Sequence, residues 1–459
     1  MGKNRVKYAP VWILIIGCLA YLAAKWTDLS LPFFWDELGV YGPGVLYMLD
    51  NGPGLLPSAL DPELSRGHPL LFYFLFAAYS KLFGYSLFKI HLLAISIFFA
   101  LVGVTYRVGE KVLNRWWGMF AGGILLVSPN IFASSAMVLP EILVSLFTLL
   151  SLFAAYQKKW GQYMVWGSLL LLTKESGIVV PMAVFGYILL FEKNQKIRLL
   201  LYSLIPIGAL ILFLVIQRFQ NGWFLFPYHT SLISFDWETI WRKVQMLWEA
   251  LFIEQGRIGW TIILGTGIIL GARKKIHLWH QLTGIFVMGY LLFFLINFFM
   301  DRYLTLLFPL IAIGLGASIW EISQLFPAKW RRLVSISLGV IMLLLPLFFF
   351  STNEFKYDQD VNFRNIVAIQ KETTTFIENE IDPQKTVFAN FPLYNGLLDP
   401  RFGYRKNPYH IKPVIRMSES PDYIAIFRPG DIPPHQTDSM TVIFEKKVDF
   451  IEVRVWGGE

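Results

Sequence analysis

Residues 33–42 read Phe33-Phe34-Trp35-Asp36-Glu37-Leu38-Gly39-Val40-Tyr41-Gly42, two adjacent carboxylates set among aromatics a few residues after an apolar run that begins near Pro10. Acidic side chains are costly beside hydrocarbon and are kept there mainly where they work at a wet, protein-lined face. A structural reading stands beside that one: Asp36 caps a short helix at the membrane surface, its carboxylate accepting from a free backbone N–H. The rest of the chain has to choose between them.

Of 459 residues, 55% are hydrophobic and 17% aromatic, and the mean hydropathy is +0.51. A soluble domain of this size is far less apolar, so the chain reads as an integral membrane protein. Its net charge of +8 comes from small basic clusters between apolar runs, a pattern of topology and lipid headgroups rather than nucleic acid. The one cysteine, Cys18, sits inside the first run, which excludes a disulfide framework or a thiolate metal site. The basic stretch Met1–Ala9 is followed by no convincing small-residue cleavage site and reads as a retained signal anchor.

Apolar runs fall at about residues 10–27, 86–106, 116–133, 141–156, 161–173, 176–191, 199–217, 258–271, 279–298, 303–325 and 333–350. Several are shorter than the roughly 20 residues of a usual span, so the basic clusters have to fix the topology. With Lys3, Arg5 and Lys7 in the cytoplasm and every run crossing, the inside gaps hold Arg107, Lys111 and Arg115; Lys158 and Lys159; Lys193, Lys196 and Arg198; Arg273, Lys274 and Lys275; and Lys329, Arg331 and Arg332. Each inside gap is then basic, as the positive-inside rule requires. His68–Gly84 must not cross, so residues 28–85 form a long outer loop with interfacial or re-entrant helices. The expectation is a mostly α, polytopic protein of about eleven spans over residues 1–350, in the cell (inner) membrane, with its amino terminus inside and carboxyl terminus outside.

That topology gathers Asp36, Glu37, His68, Glu141, Lys174, Glu175, Asp301 and Arg302 at one face, although they come from distant parts of the chain. Convergence of this kind is what a site requires. Residues 351–459 are polar and read as a small extracytoplasmic α/β appendage. Phe363, Ile366, Ile369, Phe376 and Ile377 are spaced for an amphipathic helix, and short β-rich runs follow at Thr386–Ala389, Tyr423–Phe427, Thr441–Phe444 and Phe450–Trp456. The outer loop at 218–257, rich in Trp and Phe, is expected to lie along the interface.

Carboxylates within reach can take a proton from an attacking hydroxyl or amine, and Lys, Arg or His can stabilise the charge on a departing phosphate. The ordered set of motifs goes further. After the acid pair come Arg66-Gly67-His68-Pro69-Leu70, Leu82-Phe83-Gly84-Tyr85-Ser86, Ser128-Pro129, Leu139-Pro140-Glu141, Leu172-Thr173-Lys174-Glu175, and Asp301-Arg302-Tyr303 with Pro309. Over roughly residues 10–325 this resembles the polyprenyl-phosphate-sugar-dependent glycosyltransferases of the GT-C type, which include the protein O-mannosyltransferases and the lipid A aminoarabinose transferase.

The resemblance implies an inverting, single-displacement transfer of a sugar from a polyprenyl-phosphate donor at the outer face. Asp36 matches the family's first loop acid, the acceptor-side base, and Glu37 is its usual neighbour. His68 matches the His or Lys of the HPP or KPP motif near the donor phosphate, Lys174 a lysine after the fifth span, and Arg302, with Tyr303 beside it, a basic residue near the same phosphate. Glu141 stands where the family more often has Asp, and Leu70 replaces the second proline of the motif. Glu37 and Glu141 would position the acceptor or a cation. No cofactor is implied with certainty; Mg2+ or Mn2+ on carboxylates near the phosphate stays open. The acceptor, whether protein, lipid or glycan, is unnamed by the sequence. Two rivals remain: a secondary transporter, which internal charges also suit, and a non-catalytic envelope assembly protein whose outer appendage binds a partner.

Overall fold

The computed structural model describes residues 2–271, 278–349, 357–406, 412–414, 421–428, 440–448 and 451–458. The basic cluster Arg273–Lys275 lies outside them. A helix stands at every apolar run: Gly2–Lys25, Leu87–Val112, Arg115–Val127, Glu141–Tyr156, Trp160–Thr173, Val179–Phe191, Lys196–Asn221, Arg257–Gly271, Leu278–Ile296, Phe308–Ser323 and Ala328–Leu344. Among the described residues six segments are long and apolar enough to cross a bilayer: Tyr8–Ser30, Leu87–Val112, Lys196–Asn221, Leu278–Ile296, Asp301–Ser323 and Ala328–Phe349. The other helices at the apolar runs are shorter, and Arg257–Gly271 and Val179–Phe191 among them still expose large apolar side chains such as Ile262, Ile269 and Leu190. Glu141–Tyr156 is apolar all round and is accordingly buried along almost its whole length.

Where two helices need to touch backbone to backbone, the sequence supplies glycine. A Cβ on Gly118 would lie 2.4 Å from the Tyr106 carbonyl oxygen, and one on Gly109 would lie 2.9 Å from the Gly118 Cα. This is the small-residue packing by which helices associate without a hydrophobic drive between them. At the ends remote from Asp36, Arg107, Lys111 and Lys159 line a common hollow, so basic clusters from separate gaps do come together.

Residues 28–85 carry the helices Gly42–Asn51 and Leu71–Phe83, packed on each other through Tyr41, Phe72 and Tyr73. The loop at 218–257 contains the helix Trp237–Phe252, whose Trp237, Trp241 and Trp248 are exposed, the placement of interfacial aromatics.

The carboxyl-terminal residues fold as the helix Phe363–Glu380 and a sheet of β1 (Thr386–Ala389), β2 (Lys412–Val414), β3 (Tyr423–Phe427), β4 (Thr441–Val448) and β5 (Ile451–Gly457), in the order β2-β1-β3-β5-β4. β1 runs parallel to β2 and β3, and β5 antiparallel to β3 and β4. Phe363, Ile366, Ile369 and Ile377 bury the helix face expected from their spacing.

This unit is not a loose appendage. Its Val387, Ala425 and Val453 belong to the same buried apolar cluster as the membrane helices. The Phe33 amide donates to the Phe402 carbonyl at 3.0 Å, the Tyr404 hydroxyl donates to the Phe33 carbonyl at 2.8 Å, and Arg364 pairs with Asp28 at 2.8 Å. The loop at residues 28–85 is thereby clamped between helices and sheet, with Asp36 at the seam.

Candidate active site

Asp36 follows Trp35, whose φ of +48° is a left-handed conformation rarely adopted by a bulky residue. Strain of this sort, of order 1–3 kcal/mol, persists only where surrounding structure imposes it. Here the Trp35 ring is held edge-on by Phe391 of the carboxyl-terminal unit, with centroids 4.8 Å apart. A single π-helical turn, Glu37–Tyr41, follows, and Asp36 makes no side-chain cap bond to it. The capping reading of the acid pair therefore does not describe this residue.

Instead Asp36 accepts a hydrogen bond from Arg302. Arg302, in the short 3-10 segment Asp301–Leu307, also donates to Asp358, and its Nε lies 3.4 Å from Glu141 Oε1. The Glu141 carboxylate sits at the first residue of its helix, where the helix dipole favours negative charge, and accepts from Lys174 Nζ at 3.0 Å. Lys174 also lies 4.3 Å from the centre of the Tyr303 ring, and the Tyr290 hydroxyl fixes the Tyr303 backbone at 2.9 Å. Burial, the largest single influence, works to lower the Lys174 ammonium, but Glu141, Tyr303 and Glu175 together outweigh it and hold the group above its ordinary range. Glu141, Lys174, Ser176, Tyr290 and Tyr303 border a hollow with room for about one water.

Five of the seven expected residues, Asp36, Glu141, Lys174, Arg302 and Tyr303, thus form one cluster. Glu37, the sixth, is turned away from it. One of its oxygens accepts from His91 Nε2 at 2.8 Å and from the Val138 amide at 2.7 Å, and the other from the Phe34 amide at 3.1 Å. It is buried and its acceptor positions are engaged, so it holds the loop in place rather than facing a substrate. His68, the seventh, stands apart with Glu175, its Nδ1 2.9 Å from Glu175 Oε2, and stacks near His229 with ring centroids 4.9 Å apart.

Two residues of these groups, Asp358 in the cluster and His229 beside His68, were not singled out in the sequence. Asp358 comes from the carboxyl-terminal unit and is fully buried against Arg302. Burial is the main cause that pushes its carboxyl up to about 6; Arg302 opposes the rise and the nearby Asp36 and Glu141 carboxylates add to it. His229 is pushed down to about 4, first by burial and then by His68. A third buried pairing, Lys25 with Asp28, ties the end of the first helix to the same seam, its ammonium lying over the Phe132 and Phe363 rings.

Residues 67–217 match the family model described as dolichyl-phosphate-mannose-protein mannosyltransferase. No curated protein sequence matches the chain. Among solved structures it is similar to ArnT from Cupriavidus metallidurans in the apo state, at a TM-score of 0.63 and 13% identity over 98% of each chain. The same protein bound to undecaprenyl phosphate gives 0.62 at 13% identity over 99% of this chain and 98% of that one. The apo oligosaccharyltransferase of Archaeoglobus fulgidus gives 0.53 at 10% identity, over 88% of this chain and 65% of that one. At such identities these likenesses speak to the fold, and the GT-C fold expected from the motifs is borne out.

Proposed function

From this GT-C fold we propose that the chain transfers a sugar, with inversion, from a polyprenyl-phosphate-linked donor to an acceptor at the outer face of the membrane. The observation that carries the proposal is the cluster itself: Asp36, Glu141, Lys174 and Arg302, from four distant segments, meet at one seam. The undecaprenyl phosphate bound by the Cupriavidus ArnT structure supports a lipid phosphate as the donor's carrier.

The roles follow from exposure and charge. Side-chain exposure is 26% for Asp36, 8% for Glu141 and 0% for Asp358, so of the three carboxylates on Arg302 it is Asp36 that can reach an acceptor. In the transfer, the acceptor oxygen or nitrogen bonds to the anomeric carbon as the bond from that carbon to the phosphate oxygen breaks. The acceptor proton passes to Asp36, and the electron pair leaves with the phosphate, whose charge Arg302 and Lys174 stabilise. Attack opposite the leaving group inverts the centre. Glu141 holds Lys174 and Arg302 in register.

Because Asp36 already pairs with Arg302, the donor phosphate has to take its place on the guanidinium. That exchange frees the carboxylate to act as base only when donor is present, so binding is ordered, donor first. The test is transfer from a radiolabelled polyprenyl-phosphate sugar by the purified protein, alongside Asp36→Asn. The variant is expected to fold and bind donor but give no transfer; near-normal turnover would remove Asp36 from the base role. Vesicle uptake of a solute without transfer by the intact protein would point to a transporter instead.

A further inference from the structure

The central cluster is a poor place for a metal ion. Arg302 and Lys174 already occupy the space among its carboxylates, and a divalent cation there would have to displace them. A different constellation lies beside it. His68 and Glu175 are 107 residues apart in sequence yet in hydrogen-bond contact, and His229 joins them from the loop after the helix Lys196–Asn221. One potential ligand atom from each lies within 4.8 Å of the others.

We propose that His68, Glu175 and His229 form a binding site for one divalent transition-metal cation of the zinc class. Two imidazoles and one carboxylate select zinc-like metals over Mg2+ or Ca2+, which prefer all-oxygen ligands. Three protein ligands of this composition leave a fourth tetrahedral position for water or a phosphate oxygen. A zinc ion with bonds of about 2.0–2.1 Å sets its ligand atoms about 3.4 Å apart, so small side-chain rotations from the present spacing suffice. The side chains of His68 and Glu175 are 13% and 28% exposed, open enough for an ion to enter.

The backbone is built to bring His229 in. Gly67 has φ +74°, and a Cβ there would lie 2.9 Å from the Trp223 ring and 3.0 Å from the Phe226 Cβ. Only glycine permits both that conformation and that approach. Trp223 packs on Phe226 and Phe226 on His229, at centroid distances of 5.4 and 5.7 Å. Two aromatic residues, Trp223 and Phe226, thus transmit the close contact at Gly67 to the imidazole that completes the site. Under the proposed transfer reaction, the open coordination position would take an oxygen of the donor phosphate, and that role alone rests on the reading above.

The experiment is cobalt titration of the full-length protein in detergent after chelator treatment, followed by visible absorbance, with zinc as competitor. The expected result is one Co2+ per chain, displaced by Zn2+. His229→Ala and Glu175→Gln should weaken binding by at least about 100-fold, the upper end of what losing an outer-shell partner costs, while His280→Ala leaves it unchanged. Each variant is checked for a monodisperse size-exclusion profile. No stoichiometric cobalt binding by the parent, or parental affinity in a folded His229→Ala, overturns the site. Cobalt is read with no sugar donor present. A protein that binds cobalt but transfers no sugar therefore fails only the proposed function, and one that transfers sugar but binds no cobalt fails only the metal site.

Discussion

Replacing Asp358 by asparagine alters the charge around Arg302 with almost no change in side-chain volume. Three carboxylates, Asp36, Glu141 and Asp358, stand against the two cations Arg302 and Lys174, leaving one negative charge in excess. Asp358 is the most deeply buried of the three and bears the consequence: burial, only partly countered by Arg302, lifts its carboxyl from 3.8 to about 6. A displacement of that size means the folded state favours the neutral acid by about 3 kcal/mol. Since the folded value lies above the unfolded one, the stability this provides is fully present below about pH 4 and is lost as pH rises through about 6. Asparagine has no proton to lose. Asp358→Asn should therefore match the parent near pH 4 and become the more stable form by up to about 3 kcal/mol above about pH 7. That is the outcome expected when a buried ionic group is replaced without stranding its partner. Transfer should nonetheless fall, by about tenfold or about 1.4 kcal/mol in the barrier, because Arg302 loses one of the anchors that aim it. The assay is thermal unfolding by intrinsic fluorescence across that pH range, paired with initial transfer rates. A variant destabilised at neutral pH, with the deficit growing as pH rises, would refute the excess-charge account.

Glu37→Gln separates a positioning role from a chemical one: the amide cannot accept from His91, Val138 and Phe34 together, so thermal unfolding should show a loss of about 1–3 kcal/mol. Donor affinity should be kept. Full stability with no transfer would instead return Glu37 to the catalytic set. Deleting residues 351–459 should give an aggregated protein on size exclusion, since it removes Asp358, strips Phe33 of its backbone partners Phe402 and Tyr404, and leaves Asp28 without Arg364. A monodisperse, active truncation would show that the carboxyl-terminal unit builds no part of the site.

The helices were legible because long apolar runs have few alternatives, and the basic gaps between them fix which ends lie together. Asp36, Glu141, Lys174 and Arg302 were legible for a related reason: a charge at the end of an apolar run stands out against its surroundings. Asp358 and His229 carry no such contrast. They lie in polar or aromatic stretches where carboxylates and imidazoles are common; only the docking of a sheet-bearing unit brings Asp358 to Arg302, and only the packing of Trp223 on Gly67 brings His229 to His68.

Glu37 misleads in the opposite direction, since adjacency to Asp36 in sequence suggests a shared task. The π-helical turn after Trp35 instead sends the two carboxylates to different partners, His91 for one and Arg302 for the other. What no spacing rule reveals is that the proposed base and the proposed phosphate anchor are bonded to each other. That pairing lets each of two costly charges neutralise the other, and for the same reason it makes the phosphate of the donor the natural competitor that would release the base.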